Sequence, residues 1–152
     1  GIACPCGNNG SPGFGCGTSV KANGTVLAHS GLASTTTDTL VLTLLGAPIG
    51  VSSLFFQGTS ASGGGLGTVF GDGVRCVAGS VTRLGIKTTI NSGLFGGAAS
   101  YPAAGDPSIT VRGVVPAAGA VRLYQVWFRN SAAYCTASTF NLTNGLRVTW
   151  LP

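Results

Sequence analysis

The sequence predicts an all-β protein, an antiparallel β-sandwich of jelly-roll or immunoglobulin-like type. Short runs of β-branched and aromatic residues follow one another along the chain, and glycine-rich turns separate them. No segment keeps the apolar period of an amphipathic helix. The chain has 152 residues, which is enough for one domain with its own core.

The apolar runs place the strands, and the turn residues between them place the boundaries. We expect residues 1–17, which are rich in cysteine and glycine, to form a disulfide-containing amino-terminal arm, and residues 18–152 to form the sandwich domain. The glycine-rich stretches 58–67 and 95–107 are predicted to be surface loops. The predicted strands are 18–29, 38–46, 51–58, 66–71, 74–78, 81–90, 107–115, 120–130 and 138–150.

Two segments near the carboxyl end allow more specific predictions, one about burial and one about a turn. In VRLYQVWFRN (121–130) both faces of the strand hold large apolar side chains, which predicts a central strand or an outward face covered by another segment. In FNLTNGLRVTW (140–150) the Asn144-Gly145 pair is a hairpin signal. A three-residue loop at 143–145 would place Leu142 opposite Leu146 and keep the apolar residues on one face, so we predict that register.

Three cysteines lie within the first seventeen residues, spaced as C-P-C followed by a third. A zinc site would need Cys4, Cys6, Cys16 and His29, but the paired ligand spacing of such sites is missing. A redox pair would need C-x-x-C. Disulfides formed in an oxidising compartment are the remaining interpretation, with Cys6–Cys16 preferred and Cys4–Cys16 as the alternative.

The chain holds five cysteines, so one of them stays unpaired if the others form two bridges. We expect Cys76 to pair with Cys135 across the fold. Cys4 is then left over, and an odd cysteine in an exported protein predicts either a link between subunits or a free thiol.

Charged residues make up only 7% of the chain, and the net charge of +5 comes from single basic residues spread along it. A nucleic-acid-binding surface would need a clustered basic patch with aromatic platforms, so we expect no nucleic-acid partner.

Catalysis is also not predicted. The single histidine, His29, and Asp38 could belong to a hydrolase triad, but no nucleophile-elbow motif accompanies them. Asp72 and Asp106 lie in turn sequences. No metal or cofactor is expected.

A surface with so few charges predicts that part of it is covered, either by assembly with other subunits or by glycans. Sequons stand at Asn9, Asn23 and Asn141. Tyr101 and Tyr134 are candidate contacts for a carbohydrate, because aromatic faces pack well on the apolar faces of sugars.

The chain begins at a glycine and holds no apolar run long enough to cross a membrane as a helix, so we expect a mature exported protein without a membrane span.

Several motifs, in order, resemble a functionally uncharacterised domain found near the carboxyl ends of exported proteins from planctomycetes and similar environmental bacteria. The resemblance covers nearly the whole chain. It implies an extracellular or cell-surface location, and it implies that Cys76 and Cys135 belong to the domain pattern. The motifs are CPCGNNG…GCG, DTLVLTLLGAP, LFFQG, FGDGVRC, YQVWFRN and FNLTNGLRVTW.

The leading functional hypothesis is an extracellular, non-enzymatic structural subunit that assembles with copies of itself into a fibre or a surface layer. An arm exchanged between subunits could add a strand to a neighbouring sheet edge. The alternative hypothesis is a secreted carbohydrate-binding or adhesion module.

Overall fold

The computed structural model, which describes residues 1–132 and 134–152, confirms an antiparallel β-sandwich. Its elements in chain order are β1 (Val26–Ser30), β2 (Val41–Ala47), β3 (Ser52–Gly58), β4 (Ser60–Ala61), β5 (Thr68–Phe70), β6 (Gly73–Arg75), β7 (Val77–Ala78), β8 (Thr82–Thr88), β9 (Ile90–Asn91), β10 (Gly97–Tyr101), α1 (Ile109–Gly113), β11 (Ala120–Arg129), β12 (Phe140–Leu142) and β13 (Leu146–Trp150), with short 3-10 turns at Ser62–Gly65 and Gly93–Phe95.

The strand order is that of an immunoglobulin-like sandwich. The first sheet has the order β1-β2-β10-β9, and the second has the order β8-β3-β11, with β12 and β13 both pairing to the outer side of β11. The strand β8 lies in the second sheet, and the chain continues into β9 in the first. If β8–β9 and β12–β13 each count as one strand, the sheets read A-B-E-D and G-F-C-D, because strand D crosses from the second sheet into the first. This is the immunoglobulin order rather than that of a jelly roll.

The core lies between the two sheets and is built from alternate residues along the strands of both sheets, those that point inward. Leu42 and Leu44 of the first sheet pack against Phe55, Val126 and other buried residues of the second. Each buried side chain of this size stabilises the fold by roughly 1.5–3 kcal/mol. Two buried polar aromatics are joined in this core, because Trp150 Nε1 donates to Tyr124 Oη at 2.8 Å.

The outward face of the second sheet is covered by the chain between β3 and β8. This insertion, residues 59–81, folds into the small pairs β4–β7 and β5–β6. Val77 of the insertion forms a second apolar cluster with outward residues of the sheet. Large apolar groups on both faces of β11 therefore mark a covered face, as the sequence predicted. The sheet residues of this cluster are Phe56, Leu123, Trp127, Phe140 and Leu142.

The predicted hairpin at Asn144-Gly145 is wrong. Leu142 pairs with Trp127, and Leu146 pairs with Tyr124, so both halves run along the same partner strand. The three residues 143–145 form a bulge opposite only Gln125 and Val126. The chain does not reverse here because the bulge stays hydrogen-bonded to β11. Thr143 N–H donates to Val126 O at 3.0 Å, and Val126 N–H donates to Thr143 Oγ1 at 3.1 Å.

Two predicted strand segments are not strands. Residues 107–115 contain the helix α1, because Ser108 accepts from Val111 N–H and Asp38 Oδ2 accepts from Thr110 N–H at 2.8 Å. These side chains satisfy the first turn and outweigh the β-branched composition. Residues 18–24 form a turn in which Thr18 and Lys21 hydrogen-bond each other.

Both segments predicted to be loops contain strands, since the short β4 lies in 58–67 and β10 lies in 95–107. β10 lies between β2 and β9 in the first sheet. Its small residues allow a close approach, since a Cβ on Gly97 would lie 2.4 Å from the carbonyl oxygen of Pro48. The same residues gave no strand signal in the sequence.

The disulfides are Cys4–Cys16 and Cys6–Cys135. The preferred pairing Cys6–Cys16 and the pairing Cys76–Cys135 are therefore wrong, and the alternative Cys4–Cys16 is confirmed. Cys76 is the free cysteine of the described residues, so Cys4 is not the spare thiol.

Asp72 explains why Cys6 meets Cys135. Asn8, two residues after Cys6, donates from Nδ2 to Asp72 O at 3.0 Å. Thr136, which follows Cys135, donates from Oγ1 to Asp72 Oδ1. The turn that carries Asp72 therefore brings the two segments together, which spacing along the sequence could not reveal.

Candidate functional site

The outward face of the second sheet carries an open groove of about 490 Å³ beside the insertion. The strands β3, β8 and β11 supply its floor, and the pair β5–β6 supplies one wall. The groove is lined by Ser52, Ser53, Leu54, Phe56, Phe70, Arg75, Val81, Arg83, Ile86 and Trp127.

A row of aromatic rings runs from the floor of the groove to its wall. Trp127 and Phe140 have ring centroids 5.5 Å apart, and Phe140 and Phe70 have centroids 4.9 Å apart. Alternation along β11 turns Trp127 outward, because Val126 and Phe128 point into the core. The tight turn at Gly71 (φ 62°) lets the insertion approach Phe140, whose ring occupies the place of a Cβ.

The groove is cationic. Arg75 and Arg83 line it, and the Arg129 guanidinium lies 5.2 Å from the centroid of the Trp127 ring, in cation-π geometry. Arg75 is held in place because its Nε donates to Val77 O at 2.7 Å. Arg83 is exposed.

The acidic residues are engaged elsewhere. Asp106 pairs with Lys87, which is the one ion pair among the described residues. Asp38 accepts from Thr110 and from Leu40 N–H, and Asp72 is fully buried. No carboxylate of the described residues lines the groove, so its arginines are left to attract an anion.

The residues weighed for catalysis have ordinary structural roles. His29 is an exposed residue of β1, opposite Leu42. Asp38 accepts hydrogen bonds from Thr110 in the first turn of α1. No cluster of three or more His, Cys, Asp or Glu side chains suited to a metal ion occurs in residues 1–132 and 134–152. The absence of an enzymatic activity stays a prediction.

Tyr101 is wrong as a ligand contact. It is only 1% exposed, packs 6.2 Å from the Phe55 ring and donates its hydroxyl to Pro107 O at 3.0 Å. Tyr134 is half-buried near Asp72, and burial together with that carboxylate raises the pKa of its phenol. Tyr134 does not line the groove, and its contact with a ligand stays a prediction.

The three sequons differ in accessibility. Asn9 and Asn23 are exposed. Asn141 is 0% exposed, and its side chain donates to Gly17 O at 3.0 Å while accepting from Leu142 N–H at 2.7 Å. A glycan cannot be carried by Asn141 in the folded chain, so that predicted site is wrong.

Sequence reasoning missed the groove as a site. Trp127 was visible as an aromatic on a strand with two apolar faces, but such a residue is usually part of a core. Phe70 and Arg75 are far from Trp127 in sequence and line the same groove only because the insertion folds back over β11. The sequence did hold one indication of the groove. It combines a strand that has large apolar side chains on both faces with several arginines and only three acidic residues to pair with them.

None of the described helices is long and apolar enough to cross a membrane. The resemblance to a domain of exported bacterial proteins stays a prediction. Comparisons with protein-family models, with curated proteins and with solved structures find no match, so the strand order and the groove are the basis for any assignment.

Proposed function

We propose that the protein is an extracellular, non-enzymatic binding module whose groove binds an acidic polysaccharide. The observation that carries this proposal is the combination of an aromatic row with two arginines that have no carboxylate partner among the described residues. A neutral sugar would use only the rings, and a simple anion would use only the arginines. A polymer of uronic or sulfated sugars uses both.

The chemistry of such a ligand matches the groove. The apolar faces of sugar rings pack on aromatic faces such as that of Phe70, which stays partly exposed at the wall. Arginine binds carboxylate and sulfate groups through paired N–H donors. The Nε bond of Arg75 to Val77 fixes its guanidinium before a ligand arrives, which lowers the entropy lost on binding.

The two disulfides support a location outside the cytosol, since such bonds persist in oxidising compartments. Both join segments of the same chain, and the arm is therefore part of the domain that carries the groove.

The test compares charged and neutral polymers. Isothermal titration with polygalacturonate is expected to show binding that weakens as salt is added, and titration with dextran is expected to show none. Arg83→Gln should weaken binding about tenfold, since one charge-assisted contact contributes roughly 1.5–3 kcal/mol before solvent screening. Phe70→Ala should weaken binding without changing the salt dependence.

Arg147→Gln is the matched control. It removes the same charge from the same face of the sheet, where Arg147 lies exposed opposite Leu123 and outside the groove. Equal losses for Arg83→Gln and Arg147→Gln would show that only net charge matters, and equal binding of dextran and polygalacturonate would contradict the assigned ligand class.

Self-assembly is the second candidate function, and one surface favours it. Ile90, Leu94 and Phe95 are exposed near the end of β9, with Leu94 at 95%. Such side chains close together are typical of contact surfaces. Exchange of the arm receives less support, because Cys4–Cys16 and Cys6–Cys135 tie it within its own chain. Sedimentation of the parent protein and of Leu94→Asp tests this: concentration-dependent assembly lost in the variant supports it, and a monomer at all concentrations contradicts it.

A further inference from the structure

Three of the five cysteines line one cavity of about 540 Å³ between the arm and the insertion. Two of them, Cys4 and Cys16, form a disulfide, and the third, Cys76, is the free thiol. The cavity therefore brings the residue with the free thiol and both residues of a disulfide to the same space.

We propose that Cys76 is an internal nucleophile that exchanges with the Cys4–Cys16 disulfide. The Cys76 thiolate attacks Sγ of Cys16, a Cys16–Cys76 bond forms, the Cys4–Cys16 bond breaks, and the electron pair leaves on Cys4 as a thiolate. The proton lost from Cys76 goes to solvent and Cys4 takes one up, so no oxidant or reductant is consumed.

Burial decides which sulfur leaves. Cys16 is only 3% exposed, whereas Cys4 is partly exposed. A thiolate released at Cys16 would lose its hydration, and one released at Cys4 would keep much of it. A better solvated thiolate is the better leaving group, so attack at Cys16 is favoured over attack at Cys4.

The surroundings of Cys76 make the exchange slow and dependent on pH. Burial raises the pKa of its thiol, and the Gly145 backbone, the positive charge of the amino terminus and the Gln125 side chain offset this only in part. Only the thiolate attacks a disulfide. The reaction should therefore accelerate as the pH rises toward the pKa of Cys76.

The exchange would change what the arm is tied to. Cys4–Cys16 closes a loop inside the arm, with a sequence separation of 12. A Cys16–Cys76 bond would instead join the arm to the short segment between β6 and β7, which forms part of the insertion. The arm would stay attached through Cys6–Cys135, while its first residues would lose their covalent link to Cys16 and keep the hydrogen bond from Ile2 N–H to Leu66 O at 2.8 Å.

The experiment maps the free thiol over time. Non-reduced full-length protein is held at pH of about 9, where ordinary thiols are largely ionised, then quenched with acid, blocked with N-ethylmaleimide and digested for mass spectrometry. At the start the label is expected on Cys76. With incubation it should move to Cys4, and a peptide linked through Cys16 and Cys76 should appear at a rate unchanged by dilution.

Two outcomes overturn the proposal: a label that stays on Cys76 throughout, or one that moves to Cys16. The matched control is Cys76→Ser, which should keep Cys4–Cys16 and show no labelled cysteine at any time. The Cys6–Cys135 peptide reports in every sample whether general scrambling has occurred.

A second variant tests the geometry without relying on slow exchange. In Cys4→Ser, Cys16 and Cys76 are both thiols, and glutathione disulfide supplied as oxidant should link them while being reduced to two molecules of glutathione. Near-ultraviolet circular dichroism checks that the variant is folded. A folded variant that forms only mixed disulfides with glutathione would show that the two sulfurs cannot meet.

Discussion

Gln125 of β11 binds the backbone of Cys76 and so fixes the insertion to the outer face of the second sheet. Cys76 N–H donates to Gln125 Oε1 at 2.9 Å. Gln125 Nε2 donates to Val74 O at 2.9 Å and to Thr143 O at 2.7 Å. The side chain is fully buried, yet both of its polar atoms are bonded. One amide therefore joins the central strand, the insertion that walls the groove and the bulge between β12 and β13.

Gln125→Leu should be strongly destabilising. The substitution leaves Cys76 N–H and the carbonyls of Val74 and Thr143 without their partner, and each such group costs about 1–3 kcal/mol when buried. Urea unfolding should show a lower midpoint with an unchanged slope. The exposed substitution Arg147→Gln, expected to stay within about 0.5 kcal/mol of the parent, is the comparison. Equal midpoints for the two variants would contradict the role assigned to Gln125.

The two disulfides should differ in their contribution to stability. Cys6–Cys135 spans a sequence separation of 129, and Cys4–Cys16 spans 12. The chain-entropy model gives about 5 kcal/mol for the first and about 3 kcal/mol for the second. We expect Cys6→Ala/Cys135→Ala to lower the free energy of unfolding more than Cys4→Ala/Cys16→Ala. The reverse order in thermal or urea unfolding would show that the arm's own loop dominates.

Expression in a host that glycosylates secreted proteins should modify Asn9 and Asn23 and leave Asn141 bare. The first two side chains are exposed, whereas Asn141 is buried and bonded to Gly17. The intact mass before and after peptide N-glycosidase treatment measures this. In Asn9→Gln/Asn23→Gln no glycan should remain, and a glycan found on Asn141 in folded protein would contradict the buried position.

The Asp106–Lys87 pair should give a small contribution to stability that depends on pH. The bond to Lys87, with a second from Ala103 N–H, holds the pKa of Asp106 below its usual value. Since the folded pKa is lowered, the contribution is present above the unfolded pKa of about 3.9 and disappears as the pH falls through the folded value. The pair is partly solvent-exposed, so we expect less than about 1 kcal/mol.

The comparison is between the parent and Asp106→Asn in urea at several pH values. The parent should be the more stable of the two at neutral pH, and the difference should vanish in acid. A difference that is independent of pH would show that the carboxylate charge is not its source.

Local patterns gave the strands that dominate the sheets. The alternation in 120–130 marked β11, and the apolar runs marked β2 and β3. β10 was missed because its glycine and alanine residues have no strand preference and are selected by the space between neighbouring strands. The helix α1 was missed because a cap from Ser108 and a bond from the distant Asp38 outweigh β-branched composition.

The candidate site was largely out of reach of the sequence. Trp127 could be recognised as an aromatic on a strand with two apolar faces, but Phe70 and Arg75 join it in the groove only through the fold of the insertion. Tyr101 illustrates the converse, since an aromatic in a glycine-rich segment predicted to be a loop is in fact buried against Phe55.

The sequence by itself determined the β class, the covered outer face of β11 and the presence of disulfides, because these follow from residue type and from alternation along a single strand. Only the tertiary structure decided the immunoglobulin-like strand order, the partners of Cys6 and Cys76, and the groove. Each of these depends on which distant segments meet, and the pairing free energy of two segments is not encoded in the spacing of either one.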